Sequence, residues 1–175
     1  MASIIKANQL QDFGGNSILT SDGAGNVTVN AAAMKNTPAF SAFSPASRQS
    51  IANGTSTAVI LSEEGFNVGG AFNFSTYIFT TPSDGKYFFT GGLSMRNGNS
   101  DLGLGIFVNG ADSYNSQSTF LIEGGSTSKQ ITNSKIYNLS SGDTVQMYIN
   151  QSTGSSQEIQ NDQRTFFTGF KLIGA

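Results

Sequence analysis

The side chains best suited to acid–base chemistry here are the eleven carboxylates, because the 175-residue sequence holds no histidine and no cysteine. Glu63 and Glu64 stand side by side. A glycoside hydrolase needs two carboxyl groups facing one bond, about 5–10 Å apart. Neighbours along a strand point to opposite faces, so the pair reads as solvated loop charge. Asp84, Asp101, Asp112 and Asp143 fall at turn positions, where Asp is favoured for its local backbone hydrogen bonds. Without imidazole or thiol, the usual general base, the commonest zinc ligand and the cysteine nucleophile are all missing. The LGLG stretch at 102–105 fails as a dinucleotide fingerprint, since Val108 stands where the last glycine would be and no helix follows. No catalytic residue and no metal ligand is assigned, and the chain is expected not to be an enzyme.

The charge pattern excludes further classes. The nine Lys and Arg are scattered singly and the formal net charge is −2, so binding of nucleic acid through counterion release is not expected. Apolar runs span only a few residues and MASIIKANQ lacks a signal-peptide core, so neither a membrane span nor ordinary secretion is expected. Charged residues make up 11% of the chain, well below the roughly 25% of an average domain, and polarity is carried by Ser, Thr, Asn and 21 Gly. Such a surface suits strands and turns. The 14 Phe and 5 Tyr are enough to build one core, which gives one domain with a short appendage.

The appendage is residues 1–37, which hold a single aromatic, Phe13. ILT at 18–20 and VTVN at 27–30 alternate apolar and polar residues across SDGAGN, the pattern of a small β-hairpin. Alone it would be marginal, so it needs a partner, either its own copies in an oligomer or a surface on which the protein docks, and Leu10, Phe13, Ile18, Leu19, Val27 and Val29 are its candidate anchoring residues. From Pro38 onward, short aromatic and β-branched runs alternate with Gly, Asn, Asp and Ser clusters, which predicts an all-β sandwich. Expected strands cover 38–43, 57–61, 72–81, 86–96, 102–109, 118–124, 135–139, 144–150 and 165–173. Expected loops are 97–101, 124–134 and 151–163, and no internal repeat is evident. In TVQMYIN, Val145, Met147 and Ile149 share one face. In the last strand Phe166, Thr168, Phe170 and Leu172 share a face, and Phe170→Asp is expected to bury an unpaired charge and prevent folding.

The order of these signals resembles a known family. Phe40 and Ala42, Phe66 and Asn67, then Phe79, Pro82, Gly85, Tyr87 and Phe89 follow one another as in the globular head of the first complement component. Asn109-Gly110, Gly142-Asp143 and Phe167 to Phe170 complete the series, with Thr168 in place of Ser. The likeness covers residues 38–175. It implies a two-sheet jelly roll of about ten strands, shared with tumour necrosis factor and assembled as a homotrimer. Phe40, Phe72, Phe79, Tyr87, Phe89, Tyr148, Phe167 and Phe170 are the expected core and trimer-interface residues. No cofactor is expected, although complement-type heads can hold calcium near the trimer apex. SDGAGN resembles only a fragment of a calcium loop.

The leader carries a second likeness. ANQLQDFGGNSILTSDGAGNVTVN resembles the openings of structural proteins of tailed bacteriophages, fibre and capsid-surface proteins among them. Together the two likenesses imply a virion-surface structural protein made in the host bacterial cytoplasm. Residues 1–37 would anchor it to a capsid or tail protein, and 38–175 would be an exposed trimeric head that stabilises the particle or attaches to the host. The alternative is a free trimeric adhesin or lectin-like module for cell-surface glycans. Asn97, Asn99, Asp101 and Tyr114, in expected loops, are the candidate receptor-facing residues.

Overall fold

The computed structural model describes residues 7–30, 35–96, 102–110, 117–120, 129–160 and 163–173. Among these the regular structure is all β, in three antiparallel sheets. The first is small and lies at the start of the chain: β1 (Gln9–Gln11), β2 (Ser17–Ser21) and β3 (Val27–Val29), in that order. The sequence suggested only the β2–β3 hairpin; β1 turns it into a meander.

The other two sheets form a sandwich. One contains β4 (Ala39–Phe43), β5 (Ser50–Ile51), β7 (Glu63–Val68), β10 (Gly85–Arg96), β13 (Lys129–Leu139), β15 (Gln157–Ile159) and β16 (Phe166–Lys171). Its order is β5-β15-β10-β16-β4-β7, with β13 also paired along β10. The other contains β6 (Thr57–Ala58), β8 (Phe72–Asn73), β9 (Ile78–Thr80), β11 (Leu102–Val108), β12 (Gln117–Phe120) and β14 (Thr144–Gln151). It runs β12-β11-β14-β9-β8, and β6 pairs with β14. Three of these strands are only two residues long, which leaves ten longer ones among the described residues, the number the family resemblance implied.

Alternation along the long strands puts an aromatic core between the sheets. Phe40, Phe79, Tyr87, Phe89 and Phe167 are fully buried and Phe72 nearly so. Phe40 is the hub: it stacks on Phe72 at 4.5 Å between centroids and meets Phe167 edge-on at 5.1 Å. Offset and edge-to-face pairs of this kind add about 0.5–1.5 kcal/mol each beyond area burial. Gly169 makes room for them, because a Cβ there would stand 2.5 Å from Phe89 and 2.9 Å from Phe40. The buried Tyr87 hydroxyl donates to the Ser83 carbonyl at 2.7 Å, so the core takes in no orphaned phenol.

Several expectations give way. The run 72–81 is not one strand: Tyr77 has φ 61°, and the Asn73 side chain accepts the Ser75 and Thr76 amides at 2.8 and 3.1 Å. That Asx turn folds β8 back on β9. Residues 129–134, expected as loop, begin β13, and β15 lies within the expected loop 151–163. Glu63 and Glu64 lie on a strand, not in a loop, and the exposed edge strand β7 carries both. In β16 the inward residues are Phe167 and Gly169, whereas Phe170 is half-buried on the outward face beside Phe88, at 5.4 Å. A charge at 170 would therefore meet a surface, not the core.

Candidate functional site

The described carboxylates are engaged in turns and edges. Asp84 accepts the Ser141 amide at 2.8 Å, and Asp143 accepts the Ser140 amide at 2.8 Å and the Asn109 side chain at 2.9 Å. The bond from Asn109 is the main reason the Asp143 carboxyl is held below the usual carboxylate range. Glu158 meets Arg48 at 3.4 Å on the surface. Among the described residues no group of three or more acids is placed to hold a metal ion.

The feature with functional potential is the outward face of the β10 sheet. Register sets it out in three rungs. Ile136, Phe88, Phe170, Ala39 and Val68 lie across from one another in the first. Ile136 is 60% exposed and Val68 50%. The second rung reads Ser134, Thr90, Thr168, Ser41 and Phe66. Its hydroxyls pair among themselves: Ser134 donates to Thr90 at 2.8 Å and Thr168 to Ser41 at 3.0 Å. Bonded in this way, they ask little of water. The third rung holds Thr132, Gly92, Phe166 and Phe43.

Two glycines flatten this face. A Cβ on Gly92 would collide with the Phe166 ring, and one on Gly65 would stand 2.7 Å from Phe43. Each ring therefore lies over a bare stretch of strand. The Gly65 contact coincides with a bulge, where β7 slips past β4 between Ser41 and Ala42. Seven large apolar side chains share these rungs, and Glu63, opposite Phe43 at one corner, is the only charged residue paired into them. An apolar face of this breadth is the kind of surface proteins bury against a partner.

The other sheet's outward face is different. Phe107 covers Gly105 and stacks on Tyr148 at 4.8 Å, so this aromatic pair is satisfied within the chain. The Tyr148 hydroxyl donates to Gln146 at 3.0 Å.

Of the expected core and interface residues, Phe40, Phe72, Phe79, Tyr87, Phe89 and Phe167 meet in the interior. Tyr148 and Phe170 lie half-buried on opposite outer faces. Asn97, Asn99, Asp101 and Tyr114 lie outside the described residues. In the arm, Leu10, Phe13 and Val27 are exposed, while Ile18, Leu19 and Val29 are partly covered. Phe43, Val68, Phe88 and Ile136 were not singled out by sequence, and Phe66 and Phe166 were named for a family motif and a shared strand face but not as interface residues. The signal was the doublet: Phe88-Phe89 and Phe166-Phe167 place one ring on each face of a strand, so both faces are apolar.

Comparisons with known proteins agree with this architecture. No curated protein matches the chain. Among solved structures, the globular domain of zebrafish complement 1qA protein superposes with a TM-score of 0.57 at 20% identity, covering 77% of this chain and 96% of that one. Murine APRIL gives 0.56 at 14% identity over 77% and 98%. Eiger TNF from S. frugiperda gives 0.54 at 12% identity over 78% and 93%. These share the fold. The C1q domain model matches residues 39–172, from the first strand of the sandwich to the last, and the chain belongs to the C1q domain family.

Proposed function

We propose that this chain is a non-enzymatic, homotrimeric virion-surface protein of a bacteriophage. The outward face of the β10 sheet forms the trimer interface, and the N-terminal arm attaches to a capsid or tail protein. The head is carried outward, as a fibre tip or a capsid decoration, where it stabilises the particle or contacts the host surface. The observation that carries the trimer is the three-rung face, whose exposed Ile136, Phe66 and Val68 lack a partner within the described chain. The phage setting is supported by the resemblance of residues 7–30 to openings of phage structural proteins.

Ile136→Asp tests the interface. The residue is already 60% exposed, so the monomer tolerates the charge, but three copies of it in a closed interface would be desolvated. The expected result is a triple mass for the native chain in light scattering and a single mass for the variant, both with β-type circular dichroism. A native chain of single mass would sink the reading. Deleting residues 1–37 then separates virion protein from free adhesin: the first loses particle association, the second keeps its glycan binding.

A further inference from the structure

The arm is built from one turn used twice. Asp12 and Asn16 close the first turn: the Asp12 carboxylate accepts the Asn16 amide at 2.8 Å and its side chain at 2.9 Å. Ten residues on, Asp22 accepts the Asn26 amide at 3.2 Å and its side chain at 2.6 Å. In both, the residue before the Asn is a left-handed glycine, Gly15 at φ 82° and Gly25 at φ 96°. D-x-x-G-N followed by a strand is thus a ten-residue repeat, contrary to the expectation of none. The repeat fixes the geometry of a sheet that has no core of its own.

That sheet has an apolar face and a largely polar one, the second interrupted by Ile18, two residues before Thr20. Leu10, Leu19 and Val29 form one cross-strand row, and Val27, two residues before Val29, lies on the same side. Gln9, Thr20 and Thr28 form the row on the other side. There Asn30 donates to Ser17 and Thr20 at 3.0 and 2.8 Å. Ala7, Leu10, Leu19 and Val27 are among the residues around a shallow groove of about 160 Å³. Leu10 and Val27 remain 54% and 60% exposed.

We infer that this apolar face is covered by the same face of the arms of the other two protomers, the three sheets closing on one another about the axis of the heads. The inference rests on the trimer reading above. Charge permits such self-association: the only ionic side chains of residues 7–30 are Asp12 and Asp22, both held in the turns by their Asn and off the apolar rows, so no like charges stand between the identical faces and no cation marks a charged partner. Position favours it too. The chain enters the head at Ala39, which lies in the first rung of the proposed interface, between Phe170 and Val68. The nine steps from Asn30 to Ala39 reach at most about 30 Å. Trimeric heads therefore hold three arms close together, at an effective concentration in the millimolar range, where modest apolar faces associate.

The absence of native cysteine allows single-site labelling. Val27→Cys and Thr28→Cys, both exposed in the described chain, are each coupled to pyrene in the full-length protein, and excimer emission and light-scattering mass are measured together. The expected result is a triple mass for both, with an excimer-to-monomer ratio several-fold higher at 27 than at 28. A triple mass with no excimer at 27, or with equal excimer at both positions, overturns the inference, leaves the trimer standing and assigns the face to a foreign partner such as a virion protein. A single mass overturns both.

Discussion

The head and the arm use the same turn chemistry on opposite foundations. In the head, Asn109 and Asp143 clamp two turns that are distant in sequence, and the strands they join enclose fully buried aromatics. In the arm the Asp–Asn clamps span four residues, and none of the described residues 7–30 is buried. A clamp in the head tidies a structure that apolar burial already holds. In the arm it does much of the holding until a partner arrives. Local hydrogen bonds can set the shape of a three-stranded sheet, but without a buried face they leave it marginal.

Removing Phe40 should widen this contrast most. Phe40→Ala deletes the ring that touches Phe72, Phe79 and Phe167, and a buried Phe→Ala change costs about 3–5 kcal/mol. Leu19→Asp, in the centre of the arm, should leave the melting of the head unchanged. Differential scanning calorimetry on the two variants checks this. Equal losses would mean that the arm is part of the core's cooperative unit.

A smaller effect comes from the clamp in the head. Asn109 has φ 53°, donates to Asp143, and accepts the Thr144 amide at 2.9 Å. Asn109→Ala loses these bonds and leaves a Cβ in the left-handed region with nothing to offset it, a backbone strain of about 1–2 kcal/mol that glycine would not carry. Asn109→Gly removes the same hydrogen bonds but not the backbone freedom, and should cost less in urea unfolding. If the two variants unfold alike, the side-chain bonds and not the backbone set the value of this turn.

Much of this division was legible before the structure. The strands with inward Val145, Met147 and Ile149, and the core positions Phe40, Phe79, Tyr87 and Phe89, follow from two-residue alternation. What stayed hidden has physical reasons. Residues 129–134 read as loop because Gln130, Thr132 and Ser134 face water, and because one inward position is Asn133, whose amide is satisfied by the Leu104 carbonyl at 2.9 Å. The edge strand β7 was missed because edges carry charge, here Glu63 and Glu64, which discourage further pairing. The outward apolar face escaped notice because its rungs assemble residues from five strands, and register is not written in any one of them. The arm's repeat was overlooked because its constant positions are Asp, Gly and Asn, which apolar periodicity does not register.

Acid should separate the two regions most gently. The carboxyls of Asp12 and Asp22 are held below their usual range, chiefly by the side chains of Asn16 and Asn26, just as Asp143 is by Asn109. A depressed carboxylate contributes stability that is present above its unfolded value, near 3.8, and is lost as the pH falls through the lower folded value. As the pH falls through and below 3.8 all three clamps therefore protonate and weaken. Amide exchange read residue by residue should show Asn16 and Asn26 losing protection over this window. Phe89 and Met147, in central strands, should keep theirs, because both are fully buried between the sheets and apolar packing, not a carboxylate, covers them. The order carries the point: protection lost first in the central strands would mean that acid acts on the head through groups other than these clamps, and the contrast between a core-held head and a clamp-held arm would fail.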